Sequence, residues 1–164
     1  MNLLLVDTKL YHTRIDLWLT PKINLEPPEI IVSFDQGIVY QGPLTESACF
    51  SIDQEISAGE HELTIEFTNK KDTDTDLVTG VDKAVVVDRI VFNDIESPRF
   101  VWAGVYYPEY PEPWATEQHQ AGHALDPLLK SHNYLGWNGK WTLTFTAPIF
   151  TWIHNIEDLG WIYS

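Results

Sequence analysis

Gly59-Glu60-His61-Glu62-Leu63-Thr64-Ile65-Glu66-Phe67-Thr68 is the stretch on which the fold turns. Successive side chains of a strand leave opposite faces, so Leu63, Ile65 and Phe67 point one way and Glu62, Thr64 and Glu66 the other. A helix would scatter those three apolar residues, so the pattern is that of a half-buried strand. The same alternation recurs on both sides. Upstream, Ile15, Leu17 and Leu19 share one face, and Ile30, Val32 and Phe34 form a second row. Asp35-Gln36-Gly37 then turns the chain into a hairpin. Ala48, Phe50 and Ile52 make a third row, which directs Cys49 away from the apolar side. Downstream, Ala84 to Phe92 reads as a longer, more deeply buried strand ending a polar loop from Asn69 to Lys83. Ile, Val and Thr together number 39 against 8 Ala, a balance that favours sheet. Short strands with turn signals every 8–12 residues predict an all-β fold, an antiparallel jelly-roll β-sandwich. Leu63, Ile65, Phe67, Val87 and Ile90 are its expected core.

The composition changes near Ser97-Pro98. Residues 100–164 hold 14 of the 21 aromatics and six of the seven tryptophans, but only 8 of the 34 charged residues. Tyr106 to Trp114 is proline-bound and extended. Ala115 to His132 is the expected helix, weakened by Gly122 and Pro127, and Trp141 to Thr146 is again a strand. With no repeat or charged linker between the halves, residues 1–164 read as one domain. Its core strands span about 13–95, and an irregular aromatic-rich C-terminal elaboration spans about 96–164.

Charge narrows the partners. Ten basic against 24 acidic residues give a net charge of −14, which repels a phosphate backbone and an anionic membrane surface. Neither nucleic acid nor membrane is an expected partner. Cys49 is alone, so an internal disulfide and a thiolate metal cage are both excluded. The apolar start Met1 to Val6 lacks a basic flank and is interrupted by Asp7, so no signal peptide is expected and synthesis is cytoplasmic. No nucleophile elbow and no glycine-rich phosphate loop occur, and the expectation is a protein that is not an enzyme.

Two groups of residues invite a ligand. Asp72, Asp74 and Asp76 offer oxygen ligands at alternate positions, with Asp82 following, and hard cations take clustered carboxylates. The expectation is calcium at Asp72, Asp74, Asp76 and Asp82, against a loop that simply stays solvated. An EF-hand fails because its glycine and glutamate positions fall on Leu77 and Lys83. His119 and His123 have the spacing of a helical metal pair, but no glutamate accompanies them and Gly122 weakens the helix. The aromatic residues Trp102, Tyr106, Tyr107, Tyr110, Trp114, Trp152 and Trp161 form the second group. Rings with few charges suit either a subunit interface or stacking on sugars. The interface is favoured, since the first 95 residues already supply the rows of one core.

Gly59 to Lys70, continuing through Asp72-Thr73 to Asp82 and Val85-Val86-Val87-Asp88-Arg89-Ile90, resembles calcium-dependent xylan-binding carbohydrate modules. It looks still more like related sandwich domains in virion proteins of tailed bacteriophages, cyanophage-like ones especially. The runs Tyr134 to Trp141, Trp152 to His154 and Leu159 to Tyr163 also look phage-like. The resemblance covers about residues 13–95 and implies a jelly-roll with calcium near Asp72, Asp74 and Asp82. It leads to the expectation of a non-enzymatic structural component of a phage virion, in the tail, baseplate or fibre-attachment region. Such a component would be oligomeric and held by other virion subunits. The alternative is a calcium-dependent carbohydrate-binding module with a polysaccharide partner.

Overall fold

The computed structural model describes residues 9–157, and its long strands fall where the period-two pattern predicts them. In chain order they are β1 (Leu10–Lys22), β2 (Glu29–Phe34), β3 (Gly37–Pro43), β4 (Ala48–Ser57), β5 (Gly59–Phe67) and β6 (Ala84–Phe92). The second half adds β7 (Ile95–Glu96), helix α1 (Pro98–Trp102), β8 (Val105–Pro108) and helix α2 (Trp114–Gln120). After these come β9 (Leu129–Lys130), β10 (Tyr134–Leu135), β11 (Gly139–Ala147) and helix α3 (Ile149–Glu157).

Among the described residues all pairings are antiparallel and make two sheets. One runs β10-β6-β1-β4, with β7 added beside β6, and the other runs β3-β2-β5-β11-β8-β9. Inward rows from both sheets enter one shared core, which makes the architecture a β-sandwich. The predicted core residues Leu63, Ile65, Phe67, Val87 and Ile90 are all buried. Val87 and Ile90 do not alternate because the β1–β6 register shifts between Trp18 and Leu19. Asp88 is the extra residue there, so Asp88 and Arg89 both stay exposed between the buried Val87 and the buried run Ile90 to Phe92.

The second half is more than an elaboration. β11 lies inside its sheet, paired with β5 along its whole length and with β8 on the other side. Its inward residues Trp141, Leu143 and Phe145 are fully buried, each contributing on the order of 1.5–3 kcal/mol. Two helices outside the predicted elements close one end of the core. α1 starts where Ser97 accepts a hydrogen bond from the Arg99 N–H and Pro98 occupies the first turn. α1 and α3 bring Phe100 and Trp152 against Phe92 and Phe145, with ring centroids 5.1–5.9 Å apart. The expected helix over Ala115–His132 shrinks to α2. The chain leaves it at Gly122, whose φ of +83° belongs to the left-handed region that glycine tolerates.

Candidate functional site

The Asn69–Lys83 loop and the stretch from Pro108 to Gln120 face each other across a cleft of about 710 Å³. Its aromatic lining is Trp114, Trp137 and Tyr134, and its polar lining includes Lys70, Asp82, Glu117 and His132. Trp114 is carried by the first turn of α2, and Trp137 follows β10. The two indoles lie 6.0 Å apart at 32°, and Tyr110 braces both, meeting Trp137 edge-on at 5.2 Å. The Tyr110 hydroxyl is tied to the Asp126 carbonyl at 2.7 Å. Trp114 and Trp137 are both half-buried, so ring surface remains open to the cleft.

Trp137 is held from below. The buried Tyr106 hydroxyl accepts the Trp137 N–H at 3.0 Å and donates to the Trp137 carbonyl. Burial pushes the Tyr106 phenol well above its usual range, so it stays neutral and keeps both roles. The Tyr106 ring stacks on His132, whose Nε2 donates to the Tyr134 carbonyl at 2.5 Å.

The opposite wall centres on Asp82. It accepts hydrogen bonds from the Tyr134 hydroxyl at 2.5 Å, from Thr75 at 2.6 Å and from the Lys83 N–H at 2.9 Å, besides pairing with Lys70. Burial works to raise the Asp82 carboxyl, but Lys70, Thr75 and Tyr134 outweigh it and hold it below the usual carboxylate range. Tyr134 responds in the opposite sense: burial and the adjacent carboxylate push its phenol up. Asn138 anchors the loop, accepting from the Lys70 N–H at 2.7 Å and donating to the Lys70 carbonyl at 3.2 Å.

The expected calcium ligands do not converge. The Asp72 side chain lies outside the described residues. Asp74 is turned inward, 3.1 Å from the Lys83 ammonium, and also accepts the Lys71 N–H. Asp76 is exposed and caps its own turn, accepting the Thr79 and Val78 N–H groups, which lower its pKa. Among the described residues no three His, Cys, Asp or Glu side chains gather as a metal would need. The described part of the donor set therefore does not fit a calcium ion as it stands, because Asp74, Asp76 and Asp82 are each engaged in a different direction.

The predicted aromatic group divides. Tyr106 and Trp152 are buried in the domain's own core and offer no surface. Trp114 and Tyr110 build the cleft. Trp102 is 45% exposed beside a smaller cavity of about 300 Å³ that Arg89 and Asn133 also line. Tyr107 is 46% exposed on β8, and Trp161 lies outside the described residues. The first 95 residues therefore do not complete the core by themselves: Phe100, Tyr106, Trp141, Phe145 and Trp152 are core residues. Much of the aromatic surplus is hidden without any partner. Lys70, Glu117, His132 and Tyr134 were not singled out in the sequence, since nothing local marks residues that meet only through long-range pairing.

No family model matches the sequence, and neither does any curated protein. Two solved structures are similar in outline. One is the carbohydrate-binding module vCBM60 in complex with galactobiose, at 15% identity and a TM-score of 0.48, covering 79% of this chain and 96% of that one. The other is a selenomethionine form of vCBM60, described as linking two families of calcium-dependent carbohydrate-binding modules by circular permutation. It shows 14% identity and a TM-score of 0.48, with 80% of this chain and 89% of that one covered. Neither these comparisons nor the described residues point to a phage particle.

Proposed function

We propose that this chain is a non-catalytic carbohydrate-binding module that takes a segment of a neutral polysaccharide in the cleft between the Asn69–Lys83 loop and α2. The observation that carries the reading is the juxtaposition of the Trp114 and Trp137 rings with Asp82, Tyr134, Glu117 and His132 around one open cavity. Sugars present apolar C–H faces and hydroxyls that both donate and accept. Flat indoles cover the faces, while carboxylates, a phenol and an imidazole meet the hydroxyls. The cavity of about 710 Å³ is of the size ligands fill. A net charge of −14 disfavours polyanionic chains, which leaves neutral ones.

Affinity electrophoresis and calorimetry against xylan, galactan and mixed-linkage glucan, with alginate as a charged control, test this. At least one neutral polymer should retard the protein and alginate should not. Trp114→Ala and Trp137→Ala should each weaken that retention at least about tenfold, the value of one buried apolar side chain. Retention by none of the polymers, or retention unchanged in both variants, refutes the assignment.

A further inference from the structure

Lys83 is 1% exposed, and its ammonium sits among oxygens alone: Asp74 Oδ2 at 3.1 Å, the Asn69 carbonyl at 3.4 Å and Glu26 Oε2 at 3.9 Å. Lys70, 9% exposed, donates to Asp82 and, at 2.7 Å, to the Lys83 carbonyl. A lysine is almost never this buried unless its charge is matched. Here two carboxylates of the acidic loop match two ammonium groups, and the remaining acceptors are backbone carbonyls and, at 3.9 Å from Lys83, Glu26 outside the loop. Carboxylate and carbonyl oxygens are also what a hard divalent cation seeks, and these are already committed. Asp74 is further fixed through its own backbone, whose carbonyl accepts from Asn24 at 2.7 Å.

We propose that the ammonium groups of Lys70 and Lys83 serve as built-in cations for the acidic loop, so that the cleft wall is folded and ligand-ready without any divalent metal. The binding part of this inference rests on the carbohydrate reading above; the stability part does not. Lys83 fastens the loop to the end of β6 from inside. Lys70 fixes the carboxylate that faces the cleft, and with it the Tyr134 hydroxyl. An ammonium carries one charge where calcium carries two, which suits two separated pairs better than one shared cage.

Thermal melting of the unmodified chain, with millimolar calcium and with excess chelator, is the first test. The melting temperature should differ by less than about 1 °C between the two, since a metal that binds only the folded state must raise it. A rise of more than about 3 °C with calcium overturns the proposal. Lys83→Met is the second test and leaves Asp74 buried with its partner gone. It should melt at least about 6 °C lower, or fail to fold. The double variant D74N/K83M should recover at least about half of that loss, because removing both charges of a buried pair costs far less than removing one. A Lys83→Met protein that melts like the unmodified chain, or a double variant no better than the single, overturns the lock. Polysaccharide retention, where found, should agree within about twofold in calcium and in chelator. Retention lost in chelator refutes metal independence while sparing the carbohydrate reading. Absence of retention in both media refutes the carbohydrate reading, and melting then decides the lock by itself.

Discussion

Tyr106→Phe removes one oxygen atom and asks whether the cleft is supported from the core. The ring is fully buried, and its hydroxyl both accepts from the Trp137 N–H and donates to the Trp137 carbonyl. Phenylalanine keeps the stack on His132 and almost all of the packing, so the change isolates those two hydrogen bonds. No buried side-chain nitrogen or oxygen among the described residues lacks a partner, so no spare donor stands ready to replace the hydroxyl. Each hydrogen bond contributes about 1 kcal/mol, with an added penalty for backbone groups left unpaired away from water, so the loss should be about 2–3 kcal/mol. At about 2–4 °C per kcal/mol for a chain of this size, the melting temperature should fall by roughly 5–10 °C. Urea unfolding should show a lower midpoint with an unchanged slope, as expected when stability changes without a change in the surface exposed. Retention on the polysaccharide should also weaken, because Trp137 loses its orientation. A variant within about 0.5 kcal/mol of the unmodified chain, with retention intact, would mean that Trp137 is positioned by its neighbouring rings alone.

Other perturbations probe different parts of the molecule. His61 is buried with both ring nitrogens 2.6 Å from acceptors, Asp35 and the Ser57 carbonyl, an arrangement suited to the protonated ring. Burial lowers its pKa, but those hydrogen bonds outweigh it and the net shift is upward. The resulting stabilisation is fully present below the unfolded value of about 6.5 and is lost as pH rises through the higher folded value. Asp35→Asn should flatten that slope in urea titrations across neutral pH, and an unchanged slope would exonerate the pair. At the acid end, Asp16 is buried; burial raises its carboxyl, yet Ser51 and Arg14 bring it below the usual range. Its contribution is present above the unfolded value and should disappear as pH falls through the folded one, a loss that Asp16→Asn should abolish. Gly104→Ala would place a methyl 2.0 Å from the Trp141 ring, so it should cost about 1–3 kcal/mol by calorimetry; no loss would mean that the indole yields freely.

The long strands were legible because each buries one face: Ile15 to Leu19, Ile30 to Phe34 and Leu63 to Phe67 carry the whole signal in alternate residues. Trp141, Leu143 and Phe145 carry the same signal, which marks a strand without placing it in the sheet. Alternation reports which face is buried and says nothing about the neighbours, so the insertion of β11 between β5 and β8 left no local trace. α3 was missed because Ile149 to Glu157 is short and aromatic, and its helicity comes from docking onto β11 and the rings beneath it. The cleft was half legible. Trp114 and Tyr110 were singled out for their aromaticity, but Lys70, Asp82 and Tyr134 meet over separations of 12 and 52 residues. The acidic spacing of Asp72, Asp74 and Asp76 suggested a shared cation. The inward placement of the lysines at 70 and 83 depends on the fold and leaves no local trace.

The central position of β11 bears on how the protein is made. A ribosome releases the chain from its N-terminus at about 5–20 residues per second. β5 and β8 are therefore synthesised well before the strand that must lie between them, and β5 waits with one flank bare. Contacts between segments so distant in sequence form slowly, and an unpaired strand flank in the meantime is a template for aggregation. Glu60, Glu62 and Glu66 along β5 oppose such pairing by like-charge repulsion without covering the bare flank. Expression of fragments ending before Gly139 should accordingly give insoluble material rather than a smaller stable domain.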